Sequence, residues 1–171
     1  MRELILGGSR SGKSLLAERR AAESGRRVVY VATAQALDDE MASRIAHHQA
    51  RRRSDWGLVE EPLDLAGALR QHAAPDACVL VDCLTLWLAN LLLAAGDERP
   101  ELPAAVCALF EVLPQLPGQI VLVSNEVGSG IVPVAALARR FADEQGRLNQ
   151  RVAALCERVT LVVAGLPLAL K

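Results

Sequence analysis

Five short runs, Glu3–Leu6, Val28–Ala32, Cys78–Val81, Ile120–Ser124 and Thr160–Ala164, are apolar almost without interruption and rich in β-branched residues. Near-continuous apolar runs of this length are expected of parallel strands covered on both faces, where alternation would mark a half-exposed sheet. Between them, apolar positions recur at helical spacing over Lys13–Ser24, Asp38–Arg52, Leu63–His72, Leu84–Ala95, Pro103–Leu113 and Pro133–Cys156. Strand and helix in alternation predict an α/β chain with a central, mostly parallel sheet and helices on both faces, three layers in all. No internal repeat or low-complexity linker interrupts the pattern, so one domain spanning 1–171 is expected, with Gly96–Pro100 as an exposed loop. The 84–95 helix is apolar nearly all round, which places it either at the centre of the domain or against another subunit.

The connection after the first strand changes the picture from fold to chemistry. Gly7-Gly8-Ser9-Arg10-Ser11-Gly12-Lys13-Ser14 has the form G-x-x-x-x-G-K-[ST]. Its glycines let successive backbone N–H groups turn inward around a triphosphate, Lys13 adds a mobile cation, and the Ser14 hydroxyl suits Mg²⁺. A strand before the loop and a helix after it aim the helix's positive end at the phosphates. The expected fold is therefore the three-layer, RecA-like phosphate-loop NTPase fold, and the expected ligand a nucleoside triphosphate.

Composition narrows the partners. Net charge is −1, which gives no global reason to expect nucleic acid or an acidic membrane surface. Arginines are local instead, at Arg51-Arg52-Arg53 and Arg139-Arg140, and each cluster suits either an anionic small molecule or a solvated helix face. The cysteines at 78, 83, 107 and 156 form no C-x-x-C pair and read as reduced thiols, mostly buried. A phosphate loop this early leads us to expect no signal peptide, and the longest apolar stretch, 84–95, is too short to span a bilayer. The expected compartment is the cytoplasm.

Other residues can carry chemistry. Asp82 follows the third apolar run, where such folds place a carboxylate that orders Mg²⁺ through water; it can equally cap the helix that follows. His47 and His48 are adjacent on the predicted 38–52 helix, and Glu40, Arg44, one of the two histidines and Arg51 recur three and four apart. Guanidinium groups one turn above and below an imidazole keep it neutral, and such a ring can attack phosphorus; a solvated helix face explains the same letters. Ser124-Asn125-Glu126-Val127-Gly128 through Pro133 lies at the end of the fourth run, as a second substrate-contacting segment or a plain connection. No Asn-Lys-x-Asp guanine motif is present.

Taken together, the phosphate loop, Tyr30-Val31-Ala32-Thr33-Ala34, Leu37-Asp38-Asp39-Glu40-Met41 with Arg44-Ile45-Ala46-His47-His48, and Asp82-Cys83-Leu84-Thr85-Leu86-Trp87 form a recognisable order. With Ser124-Asn125-Glu126-Val127-Gly128, Gly130-Ile131-Val132-Pro133 and Gly146-Arg147-Leu148-Asn149-Gln150, the chain resembles the bifunctional adenosylcobinamide kinase / adenosylcobinamide-phosphate guanylyltransferases of cobalamin biosynthesis. The resemblance implies two reactions: γ-phosphoryl transfer from ATP or GTP to adenosylcobinamide, then GMP transfer from GTP to that phosphate, giving adenosyl-GDP-cobinamide and pyrophosphate. It also implies that His47 carries GMP covalently, and that residues 7–14, Val31, Ala32, Thr33, His48, Gln49, Ala50, Arg51, Glu60 (or its neighbour Glu61) and Asp82 contact nucleotide. Ser14 and Asp82 would serve Mg²⁺, Lys13 the kinase step, and the assembly would be a homotrimer. A histidine outside the phosphate loop must approach the α-phosphorus from another side, so the 38–53 helix is expected to move between open and closed positions.

Overall fold

The computed structural model describes residues 1–35, 39, 53–95 and 104–171. Strands β1 (Arg2–Gly7), β2 (Arg27–Ala32), β3 (Gly57–Glu60), β4 (Ala77–Asp82), β5 (Gln119–Asn125), β6 (Arg158–Val163) and β7 (Leu166–Ala169) form one seven-stranded sheet in the order β3-β2-β4-β5-β1-β6-β7. All neighbours are parallel except β6 and β7. The described helices are α1 (Lys13–Ala22), α2 (Leu65–His72), α3 (Leu84–Ala95), α4 (Ala104–Val112), continued by a 3₁₀ turn at Leu113–Gln115, and α5 (Ala136–Leu155). Apart from Asp39, the predicted 38–52 helix lies outside the described residues, as do 96–103.

Period-two alternation along each central strand divides the core. Ile5, Val28, Tyr30, Cys78, Leu80, Val121 and Val123 point to the face covered by Ala17 and Ala21 of α1. Leu4, Leu6, Val29, Val79, Val81, Ile120 and Leu122 point to the other face, covered by α2 to α5. The runs read as strands are therefore apolar at successive positions because both faces are roofed. All five are strands, with ends shifted by one or two residues; Ala164 leaves β6 at φ 52° and turns the chain with Gly165 into β7.

One open alternative is decided and one helix bound is corrected. The 84–95 helix needs no other subunit to cover it: Leu84, Trp87, Leu88, Leu91 and Leu92 are buried in the chain's own core, and Trp87 donates its indole N–H to the Leu63 carbonyl (2.8 Å). Its exposed large apolar residue is Leu93. Exposed apolar surface lies elsewhere, at Ile131, Val132, Val134 and Leu137, and at Val163, Leu166, Leu168 and Leu170 beside the β7 edge. The predicted helix start at Pro133 is three residues early; regular helix begins at Ala136.

At the N-terminal edge of the sheet a carboxylate is closed in. Glu3 is fully buried, with Arg20 Nε at 3.7 Å, Arg158 at 3.6 Å and the Thr160 hydroxyl donating at 3.3 Å. Buried acids persist when neutralised in this way.

Candidate active site

Strand register brings the ends of β3, β2, β4, β5 and β1 to one edge. Ala32 pairs with both Glu60 and Asp82, Asp82 pairs with Val123, and Gly7 pairs with Asn125. This is the carboxyl edge of the sheet, where open α/β folds bind ligands. The phosphate loop leaves β1 here. A Cβ on Gly7 would stand 2.4 Å from Ser11 Oγ and 2.7 Å from the Val162 carbonyl, so only glycine lets the chain double back. Gly12 opens α1 at φ 96°, a left-handed conformation natural to glycine. The loop is pinned by Ser11 N–H donating to Gly8 O (3.3 Å), Gly165 N–H to Ser11 O (2.8 Å) and Glu126 N–H to Gly7 O (3.2 Å). Gly8, Ser9 and Arg10 are exposed along its rim.

Lys13 and Ser14 are the first two residues of α1. The Lys13 ammonium donates to the Gly8 carbonyl (3.0 Å). Burial pushes its pKa below the usual lysine range, while Cys83 and Asp82 nearby pull it partly back. Lys13 therefore faces the end of β4, two strands from its own loop. Asp82 is half-buried there and accepts a hydrogen bond at Oδ2 from the Tyr30 hydroxyl (2.9 Å). The following Asp82–Cys83 peptide is cis. Burial, with Asp82 next in effect, raises the Cys83 thiol to about 11, so it is neutral at physiological pH.

The segment after β2 is tied to the same junction. Thr33 Oγ1 donates to Cys83 O (2.7 Å) and accepts from Cys83 N–H (2.9 Å), and Asn90 donates to Thr33 O (2.8 Å). Val31 is wholly in the core, so of Val31, Ala32 and Thr33 it is the backbone and the half-buried Ala32 that border the edge. Glu60 ends β3, exposed, in line with Ala32. Glu61 is occupied differently: its Oε1 accepts from Leu63 N–H (2.9 Å) and Asp64 N–H (2.7 Å) on the approach to α2. The two adjacent glutamates thus differ in their surroundings, Glu60 open at the strand end and Glu61 bonded to the turn before α2. His47, His48, Gln49, Ala50 and Arg51 lie outside the described residues.

Sequence reasoning passed over a buried polar network behind this edge. Ser124 Oγ donates to Asn149 Oδ1 (2.7 Å) and accepts from Gln145 Nε2 (2.9 Å); Thr85 Oγ1 accepts from Asn125 N–H (2.7 Å); Asn149 Nδ2 donates to Asn125 O (2.9 Å). These side chains come from α3, β5 and α5. Gln145, Leu148, Asn149 and Val152 share one buried helical face, a spacing that polar letters disguised.

Comparison with known proteins agrees with this construction. Residues 3–170 match the family described as cobinamide kinase / cobinamide phosphate guanyltransferase. The chain is 60% identical to the bifunctional adenosylcobalamin biosynthesis protein CobP of Pseudomonas aeruginosa over 171 residues, covering 100% of this chain and 98% of the relative. It is 41% identical to the CobU proteins of Escherichia coli and Salmonella typhimurium over 179 residues, covering 98% of this chain and of each relative. Among solved structures it is similar to the RadB recombinase (TM-score 0.53, 20% identity, 94% of this chain and 73% of that one). It is also similar to a type III secretion system ATPase (TM-score 0.57, 13% identity, 98% of this chain and 57% of that one). At those identities the two structures establish a shared RecA-like phosphate-loop fold. The chain belongs to the cobinamide kinase / cobinamide phosphate guanylyltransferase family and is a bifunctional, nucleoside-triphosphate-using enzyme of cobalamin biosynthesis.

Proposed function

We propose that residues 1–171 act as a single catalytic domain in which both reactions use one triphosphate site at the carboxyl edge of the sheet, a fresh triphosphate entering for each. In the kinase step the Gly7–Ser14 backbone cradles the β- and γ-phosphates and Lys13 moves from the Gly8 carbonyl onto them. The observation that carries this reading is the placement of the phosphate loop and Asp82 at one edge of the sheet, with the Lys13 ammonium turned back onto the Gly8 carbonyl of that loop. Lowered proton affinity from burial, in a lysine that faces a carboxylate, marks a cation whose missing stabilisation an anionic ligand supplies.

The Ser14 hydroxyl and the Asp82 carboxylate are hard oxygen donors of the kind Mg²⁺ prefers, and few protein ligands are needed because substrate phosphates complete the shell. Bound there, Mg²⁺ would neutralise charge on the β- and γ-oxygens. Tyr30 fixes the Asp82 carboxylate for that task. Glu60, in line with Ala32 at the outer end of the same edge, is assigned to the nucleoside.

Guanylyl transfer is assigned to His47, which attacks the α-phosphorus of GTP, expels pyrophosphate and carries GMP as a phosphoramidate until adenosylcobinamide phosphate takes it. His48, Gln49, Ala50 and Arg51 would line the nucleotide on the same segment, which closes over it. We further propose a cytoplasmic homotrimer whose contacts cover the exposed apolar residues around Ile131–Leu137 and along β7; light scattering of the purified protein checks that mass.

The test of the whole reading is a labelling experiment. With α-labelled GTP the protein acquires an acid-labile, alkali-stable label, which γ-labelled GTP does not give and His47→Ala does not acquire. Label in His47→Ala equal to the wild type would remove this histidine from the mechanism.

A further inference from the structure

Alternation and register, followed to the end of β5, single out a residue with no role so far. Ser124 is buried and points to the α3/α5 face, where it bonds Asn149 and Gln145. Its neighbour Asn125 therefore points to the opposite face, with Val121 and Val123, under α1. Asp82 points the same way, with Cys78 and Leu80, and so does the Gly7 position, with Ile5. Because β5 lies between β4 and β1, Asn125 stands between the strand of Asp82 and the strand of the phosphate loop, paired with Gly7 itself.

Its main chain is fixed from both sides: the N–H donates to Thr85 Oγ1 and the carbonyl accepts from Asn149 Nδ2. Its side chain is not. Asn125 Oδ1 is buried and, among the described residues, has no hydrogen-bond partner. Buried polar atoms are nearly always paired, and an orphan beside a ligand site calls for a donor from the ligand. The network of Thr85, Ser124, Gln145 and Asn149 thus anchors the backbone that carries this carboxamide, whose acceptor is left open at the middle of the carboxyl edge.

We propose that Asn125 is a catalytic residue of the kinase step, bridging the two reactants: Oδ1 accepts the hydrogen of the corrinoid's acceptor hydroxyl, and Nδ2 donates to an oxygen of the γ-phosphoryl group. The inference rests on the placement of the triphosphate given above. In the step, the acceptor oxygen bonds to the γ-phosphorus while the bond from that phosphorus to the β,γ-bridging oxygen breaks, and the nucleoside diphosphate leaves with its electron pair. The proton stays on the attacking oxygen, held by Oδ1, until the P–O bond has formed, and the acidic product oxygen then loses it to solvent water. Asn125 gains and loses no proton; it aligns the hydroxyl and stabilises charge on the equatorial oxygens. Thr85, Ser124, Gln145 and Asn149 are positioning residues.

The test compares Asn125→Ala, the isosteric Asn125→Asp and Lys13→Ala in two assays on the full chain: kcat for phosphorylation of the corrinoid, and the rate of label transfer from α-labelled GTP to the protein. Thermal melting accompanies both. Loss of a preorganised donor predicts a fall in kinase kcat of about 100-fold or more for both Asn125 variants. Label transfer, which breaks a different bond, stays within about threefold of wild type. Equal losses in both assays would reduce Asn125 to a structural residue and overturn the proposal. So would wild-type kinase turnover in both Asn125 variants while Lys13→Ala is inactive. Kinase turnover undiminished in Lys13→Ala would instead sink the triphosphate placement, and this proposal with it.

Discussion

Glu3 and Asp82 sit at opposite edges of one sheet, on strands only two places apart, and both side chains face α1. Glu3 is sealed from water, with two guanidinium groups and a hydroxyl around it. Asp82 is half-exposed, steadied by a phenol and faced by a partly desolvated lysine. The difference teaches how this fold separates holding from acting. At the amino edge charge is cancelled and closed over, so it serves the fold; at the carboxyl edge charge is oriented and left accessible, as the proposed ligand site requires.

Exchanging the two acids for their amides breaks the comparison most sharply. Asp82→Asn is expected to lower kinase kcat by about 100-fold while leaving the melting temperature near wild type. Glu3→Gln should do the reverse, costing about 1–3 kcal/mol of stability as both arginines lose their counter-charge, with turnover of the folded fraction unchanged. Urea titration and initial rates on the same preparations read both. If Glu3→Gln lost turnover without losing stability, the contrast between the edges would be wrong.

Two smaller effects sharpen it. Tyr30→Phe removes the hydrogen bond that orients Asp82, and the Mg²⁺ concentration giving half-maximal kinase rate should rise by about tenfold. The thiols report the sealed interior. Burial raises Cys78 and Cys83 from their ordinary 9.0 to about 11 and Cys156 to about 12. The folded chain then holds these protons more tightly than the unfolded chain. Stability from this source is full below pH 9.0 and is lost as pH rises toward 11. In the native protein at neutral pH, exposed Cys107 should alkylate well before the other three.

Much of this organisation is readable from the chain alone, for a physical reason. The central strands are buried on both faces, which writes burial into every letter, and the phosphate loop needs its glycines at fixed places. The edge strands escape that reading. Gly57–Glu60 begins with glycine and is mostly exposed, and Leu166–Ala169 contains Pro167 and is exposed throughout, so neither has the two-sided burial that marks a strand. The candidate catalytic edge divides similarly. Lys13, Ser14 and Asp82 announce themselves by motif and strand end. Tyr30 is hidden inside an apolar run, and Thr85, Ser124, Gln145 and Asn149 meet only once three elements are folded together. Asn125 needs the phase of β5 relative to α1, which no local pattern carries.

On the proposed reading, the carboxyl edge, through Lys13, holds the triphosphate of each reaction. Titration calorimetry with GTP in the presence of Mg²⁺ addresses it directly. Loss of a charge-assisted contact predicts that Lys13→Ala binds GTP at least about tenfold more weakly than wild type, while Glu3→Gln binds it normally. Equal GTP affinity in wild type and Lys13→Ala would contradict the account.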